Sequence, residues 1–245
     1  MALLTKSAFG IAFETRNFGD VRYYVPDYAR HRPTCQAILK GTYWEPGTHR
    51  IVASLMKVAP GNIVHAGAFI GDMLPSFSRA CGTTGFVYAF EPLLENYVLA
   101  RLTVDHNRLS NVLLFNSGLG DRLMPCRVAH RGDRGLHAGG SSRISQTGGV
   151  SSAIVTVDGL GLDQLSILQL DVEGYELRAL KGARKTLAAS RPVVLIEDAS
   201  DNCGSFLADI GYRRVGSVPG LYIWCPNERT DLISSVNRFI VRKMA

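Results

Sequence analysis

The sequence predicts an α/β fold: an open, mostly parallel sheet covered by helices and ended at one edge by an antiparallel hairpin. Between residues 62 and 196, short continuous apolar runs alternate with stretches of helical period. A run that is apolar on both faces is a strand buried between two layers of helices. The last two runs, 212–215 and 221–225, are joined by the short link 216–220, which carries Pro219 and Gly220. Such a link suits a hairpin. The 245 residues, 46% hydrophobic and 20% charged, are enough for one core of ordinary composition.

Taken in order, residues 1–57 have no regular period and are punctuated by Pro26, Pro33 and Pro46. They read as a small N-terminal cap of short strands and a helix, with helical spacing emerging at Ile51, Val52, Leu55 and Met56. The main domain, 58–228, opens with a strand at 62–65 and a helix over 72–80. A strand at 85–90, a helix over 93–109 and a third strand at 112–116 follow. The fourth strand is placed at 167–170, a single helix at 176–188 and the fifth strand at 193–196. The stretch 127–152 breaks the pattern, being rich in Gly, Ser, His and Arg, with His130, Arg131, Arg134, His137 and Arg143. Two readings stay open for it: a lid or binding loop, or a solvated insertion. The tail, 229–245, carries Leu232, Ile233, Val236, Phe239 and Ile240 at helical spacing beside Arg238, Arg242 and Lys243. That stripe suits packing on the core or on a second copy in a homo-oligomer, or peripheral contact with an anionic membrane surface.

Composition narrows the classes. No apolar run reaches the roughly 18 residues of a membrane span, and the N-terminus lacks a secretory pattern, so a cytoplasmic protein is expected. Cys35, Cys81, Cys126, Cys203 and Cys225 are scattered, odd in number and free of C-x-x-C spacing. They read as reduced thiols, and no metal site is expected from them or from the histidines. The formal charge of +6 favours anionic partners. No basic block or aromatic–basic interleaving points to nucleic acid.

Three motifs fall at predicted strand ends, where open α/β sheets bind their ligands. His65-Ala66-Gly67-Ala68-Phe69-Ile70-Gly71-Asp72 is a glycine-rich turn from strand to helix. Its G-x-x-x-G spacing differs from the G-x-G-x-x-G that seats a pyrophosphate, so a cofactor without one fits better. Phe90-Glu91-Pro92 sets a carboxylate at the second strand end, suited to ribose hydroxyls, with a proline at a helix start. Leu170-Asp171-Val172-Glu173-Gly174-Tyr175-Glu176 puts two carboxylates at the fourth strand end. Acids that close raise one another's pKa, so Asp171 and Glu173 are candidates for a general base, while Glu176 is read as a helix cap.

Together these residues resemble the FkbM family of methyltransferases. Further carriers are Tyr43-Trp44-Glu45-Pro46, Glu95-Asn96-Tyr97, Gly120-Asp121, Thr156-Val157-Asp158, Leu180-Lys181-Gly182-Ala183 and Arg191-Pro192. The likeness runs from about Tyr43 to Asp198. It implies a class I, Rossmann-like, seven-stranded fold and methyl transfer from S-adenosylmethionine, usually to a hydroxyl of a sugar or natural-product scaffold. On this likeness His65, Ala66, Gly67, Ala68, Gly71 and Asp72 would seat the methionine half. Glu91 and Pro92 would hold the ribose, and Asn116, Ser117 and Gly118 the adenine. Asp171 and Glu173 would be catalytic, and Tyr43, Glu45, His49, Ser141 and Ser142 would face the acceptor. The chain departs from the family at His65, usually an acid, and at Phe69, usually Asn.

The acceptor expected is a small molecule or a glycan or lipid-linked sugar. On resemblance alone it extends to 2-O-methylation of fucose on a lipo-chitooligosaccharide, with a polyketide hydroxyl as the second choice. Two readings of other classes stand beside it: an NAD-linked sugar oxidoreductase, and a non-catalytic protein that keeps the cofactor fold.

Overall fold

A computed structural model of the chain describes residues 6–131, 135–145, 148–197 and 202–244. Arg134 and Asp198, which the sequence reading mentions, lie outside the described residues, as do the side chains of Arg242 and Lys243. The chain begins with β1 (Lys6–Ala8), β2 (Ile11–Phe18) and β3 (Val21–Pro26), which pair antiparallel in a sheet of their own. Two helices follow, α1 (Pro33–Leu39) and α2 (Pro46–Val58), each with proline in its first turn, where the missing N–H costs nothing. The strand–helix alternation then runs β4 (Asn62–Ala66), α3 (Leu74–Cys81), β5 (Val87–Phe90), α4 (Leu94–His106) and β6 (Val112–Phe115).

Next come four short strands, β7 (Gly118–Leu119), β8 (Met124–Ala129), β9 (Arg143–Ser145) and β10 (Val150–Val155), in a second small sheet of order β7-β10-β8-β9. The stretch read as a long loop therefore contributes to a sheet: β8 ends in it, β9 lies within it and β10 begins in it. Its strands escape the apolar-run criterion because they are half-exposed and carry Arg and Ser. The main sheet resumes with β11 (Leu165–Leu170), α5 (Glu176–Lys181), α6 (Arg184–Ser190), β12 (Val193–Ile196), α7 (Asn202–Asp209), β13 (Tyr212–Val218) and β14 (Leu221–Pro226), and the chain ends in α8 (Thr230–Met244).

The predicted single helix at 176–188 is two helices. A Cβ on Gly182 would sit 1.8 Å from the Gly120 carbonyl oxygen, so the chain must pass there without a side chain. A new helix then starts under a borrowed cap: Asp158 accepts from the backbone N–H groups of Lys185 and Thr186 and from the Thr186 hydroxyl.

The seven-stranded sheet has the order β13-β14-β12-β11-β4-β5-β6. Strands β6, β5, β4, β11 and β12 are parallel, and β14 joins antiparallel to both β12 and β13. The order reverses between β4 and β11, and the crevice beyond the carboxyl ends there is where such sheets take ligands. One side of the sheet packs α2, α3 and α8 through residues such as Ile51, Leu55, Phe77 and Val236. The other packs the α5–α7 side through Leu168, Leu180, Leu187 and Leu207. The C-terminal stripe belongs to the first of these layers. Leu232, Ile233 and Val236 are buried, and Ile240 lies over Gly216, where a Cβ would come 2.1 Å from its Cδ1. Among the described residues no helix is long and apolar enough to cross a membrane, and the five cysteines are free thiols.

Candidate active site

Strand register builds the site. Phe90, Ala66, Leu170 and Ile196 are paired across β5, β4, β11 and β12. The residue after each, Glu91, Gly67, Asp171 and Glu197, therefore stands in one row along the carboxyl edge. Backbone bonds extend the ladder by that one step: Gly67 N–H donates to Phe90 O at 3.0 Å, Asp171 N–H to Ala66 O at 3.1 Å and Glu197 N–H to Leu170 O at 3.0 Å. Gly67 cannot be another residue. Its φ is +92°, and a Cβ would lie 2.0 Å from the Asp171 carbonyl oxygen.

Two cavities adjoin this row. The first, about 200 Å³, is lined by carboxylates from five places: Glu45, Asp72, Asp171, Glu173 and Glu197. Trp44, His65, Phe69 and Ser141 also line it, and Arg32 is its one cationic side chain among the described residues. The second is an apolar slot around Pro92, Gly118, Leu119 and Ile144, with Glu91 and Ser142 at its wall. Gly67, Gly140 and Asp171 border both. A short 3-10 turn, Gly139–Ser141, crosses them from the small sheet.

Burial sets the charge states. It pushes the Asp72 carboxyl up to about 7, with the charge of Glu45 adding to the effect. It likewise raises Glu45. Asp171 is raised well above the usual carboxylate range, first by burial, then by its hydrogen bond to Glu197 and the charge beside it. His65 is buried and pushed down to about 4, so it is neutral at pH 7, its Nδ1 against the Gln169 carboxamide oxygen. At this position the chain has a hydrogen-bonding ring where an acid would bring charge.

The glycine turn is wired to β5. Gly67 and Ala68 both donate their N–H groups to Phe90 O, and Phe69 N–H donates to Glu91 Oε2 at 2.8 Å. Three successive amides are thus engaged inside the protein and do not form a phosphate cradle, which argues against a dinucleotide. Phe69 reaches Glu91 with φ +46°, a conformation that Asn tolerates better than Phe. Glu45 and Glu173 also have positive φ, +51° and +54°. Three strained residues around one cavity mark a functional site.

Glu91 Oε1 accepts from Leu93 N–H at 2.9 Å and Asn96 Nδ2 at 3.4 Å. With Phe69 this fills about three of the four lone-pair sites a carboxylate has. Burial raises Glu91 to about 7 against the pull of these donors. Glu176 Oε1 accepts from Val172 N–H and Gly174 N–H and so fixes the turn that carries Glu173.

Of the residues singled out from sequence, His65, Gly67, Asp72, Glu45, Ser141, Asp171 and Glu173 line the first cavity, and Ala66, Glu91, Pro92, Gly118 and Ser142 the second. Ala68 and Gly71 shape the turn from within, buried beneath it. Asn116 and Ser117 line neither cavity. The Asn116 amide donates to Glu91 O at 2.9 Å and Pro92 O at 3.2 Å, clamping the strand end from outside. Tyr43 and His49 also lie off the cavity: the Tyr43 ring packs between Phe18 and His49, and His49 Nδ1 meets Ser76 Oγ at 2.6 Å. Arg32, Trp44 and Glu197 line the cavity without having been singled out as site residues. Glu197 follows an apolar strand, as Glu91 and Asp171 do, and the same rule finds it. Arg32 has no such signal, since only tertiary packing brings it to the sheet edge.

The donor set fits S-adenosylmethionine. An apolar slot suits a flat base, and a carboxylate-lined cavity suits a cationic centre beside it. This is the site of a class I, S-adenosylmethionine-dependent methyltransferase. A family model described as the methyltransferase FkbM domain matches residues 65–213, more than half of the chain, and the chain belongs to that family. No curated protein matches it. Among solved structures it is similar to the FkbM methyltransferase of Methylobacillus flagellatus KT, with 19% identity and a TM-score of 0.48 over 69% of this chain and 44% of that one. It thus spans less than half the length of that relative. It is also similar to a methyltransferase from Geobacter sulfurreducens (17% identity, TM-score 0.48, 80% and 83% covered). A third is the O-methyltransferase from Bacillus cereus in complex with SAH (12% identity, TM-score 0.45, 74% and 80% covered).

Proposed function

We propose that the chain methylates a hydroxyl oxygen, with the Asp171–Glu197 carboxyl pair taking the hydroxyl proton. The observation that carries the proposal is the buried Asp171 carboxyl beside Glu197 at the strand edge, in a cavity that also holds Glu173, Glu45 and neutral His65. When bound, S-adenosylmethionine supplies an electrophilic methyl group on a sulfonium. Asp72 and the Gly67 turn would hold its amino-acid half, Glu91 with its remaining lone pair the ribose, and Pro92, Gly118, Leu119 and Ile144 the base. The chain's own part is to hold the acceptor hydroxyl and remove its proton. In its ionised form Asp171, raised by burial, is a stronger base than an ordinary aspartate.

A sugar is the acceptor class best supported. Trp44 lines the cavity with an aromatic ring that could pack on C–H groups, and Glu45 and Glu173 there could accept hydrogen bonds from sugar hydroxyls. The 3-10 turn over both cavities supports a lid role for the 127–152 segment.

Asp171→Asn keeps the shape and removes the exchangeable proton site. Turnover is expected to fall by roughly 10²–10⁴-fold, with S-adenosylhomocysteine bound within a few-fold of the unsubstituted chain. Calorimetry reads the binding. Mass spectrometry over candidate glycans, including fucosylated lipo-chitooligosaccharides, and over polyketide alcohols reads the added methyl. Unchanged turnover in Asp171→Asn removes the pair from the mechanism.

A further inference from the structure

We propose that Arg32 recognises the α-carboxylate of the methyl donor's methionine half, and that Ser141 holds its guanidinium in place over the cavity. The proposal rests on the donor assigned above. That half of the donor carries two positive groups, the sulfonium and the ammonium, and one negative group. The cavity mirrors it, with carboxylates at Glu45, Asp72, Asp171, Glu173 and Glu197 and a single guanidinium at Arg32. A carboxylate entering among those acids is repelled unless a cation meets it, and arginine's planar fork matches both its oxygens.

The neighbouring arginine shows that Arg32 is set apart. Arg30 is held by Glu14 at 2.7 Å and by Asp27 at 3.7 Å. Among the described residues Arg32 has no carboxylate partner, and the contact it makes is with Ser141 Oγ. Its stem is gripped as well: a Cβ on Gly139 would lie 2.9 Å from Arg32 Cγ and 3.1 Å from Ala29 Cβ, so the turn rests on the arginine only because residue 139 is glycine. The N-terminal element supplies the charge, the small sheet supplies the turn that fixes it, and the two meet over the strand edge.

The test separates the two halves of the ligand. S-adenosylhomocysteine has the amino-acid half, whereas 5′-methylthioadenosine lacks it. Titration calorimetry on the full chain is expected to show Arg32→Ala weakening S-adenosylhomocysteine by roughly 30–100-fold and methylthioadenosine by less than about 3-fold. Arg32→Lys, which keeps the charge without the fork, should fall between, and Ser141→Ala should weaken S-adenosylhomocysteine alone, by less than about 10-fold. Equal losses for both ligands in Arg32→Ala, or no loss for either, overturn the assignment. If circular dichroism shows Arg32→Ala unfolded, Arg32→Lys and Ser141→Ala carry the same comparison. An unsubstituted chain that binds neither ligand overturns the donor reading itself, and this proposal with it.

Discussion

The two cavities share Gly67, Gly140 and Asp171 but are built on opposite principles. The first gathers carboxylates from the N-terminal element, the glycine turn and two strand ends, and burial raises Asp72, Glu45 and Asp171 towards neutrality. The second is an apolar slot whose own acid, beside the shared Asp171, is Glu91, held almost entirely by the protein's own N–H groups. The first is poised to change charge when a cation or a proton arrives. The second is a fixed shape. A ligand with a charged end and a flat end is bound by both at once, and the shared row of strand ends sets their spacing.

The substitution that breaks both together has the largest expected effect. In Gly67→Ala the new methyl group meets the Asp171 carbonyl oxygen, and the φ of +92° disfavours any side chain. The ends of β4 and β11 must separate, with a loss of roughly 3 kcal/mol or more in stability. Chemical denaturation should show it, and calorimetry should show neither S-adenosylhomocysteine nor methylthioadenosine bound.

Glu91→Gln acts on the slot. One of the two oxygens that now accept backbone N–H groups becomes an amide NH₂, leaving a buried donor facing a donor at a cost of about 1–3 kcal/mol. Both ligands should lose affinity by about 10-fold or more, in contrast to Arg32→Ala, which should spare methylthioadenosine. If Glu91→Gln discriminates between the ligands as Arg32→Ala does, the division of labour between the cavities fails.

The charged cavity should also show itself in pH dependence. Asp72 is protonated in the native chain up to about pH 7, but in the unfolded chain only to about 3.8. Between those values the native state binds more protons, so this group's contribution is fully present below about pH 4 and is lost as pH rises through about 7. Asp72→Asn mimics the protonated form. Its stability relative to the unsubstituted chain should therefore be higher at pH 8 than at pH 5, by calorimetric or denaturant comparison. His65 and His49 act in the opposite sense, both pushed down to about 4 by burial, which is why the difference between variants is informative and a single profile is not.

How legible this site was in the sequence depends on what built each part. The central strands were readable because burial on both faces leaves an unbroken apolar run, and the strand at 193–196 has the bounds expected. Once strands are located, the residue after each is a site candidate, which finds Glu91, Asp171 and, applied evenly, Glu197. The small sheet was not legible, because strands with an exposed face rich in Ser and Arg read as loop. The break between α5 and α6 was hidden too, since its cause is the carbonyl of Gly120, far away in sequence. Arg32 and Trp44 reach the cavity through packing of the N-terminal element, which no local pattern encodes. Tyr43 and His49 lie off the cavity for the complementary reason: they neighbour Glu45 in sequence but turn to one another and to Phe18.

Asn116 gives the smallest expected effect and the finest test of the fixed-shape cavity. Sequence reasoning placed it against the adenine, whereas its amide bridges Glu91 O and Pro92 O outside the slot. Asn116→Ala removes two hydrogen bonds, one partly buried and one exposed, so about 1 kcal/mol of stability should go. Since Glu91 keeps its three internal donors, the carboxylate stays in place and both ligands should bind within about 2-fold of the unsubstituted chain. A comparable loss of binding for both ligands, which share the adenine, with stability unchanged, would return Asn116 to the base. It would also mean that the slot reshapes around the ligand.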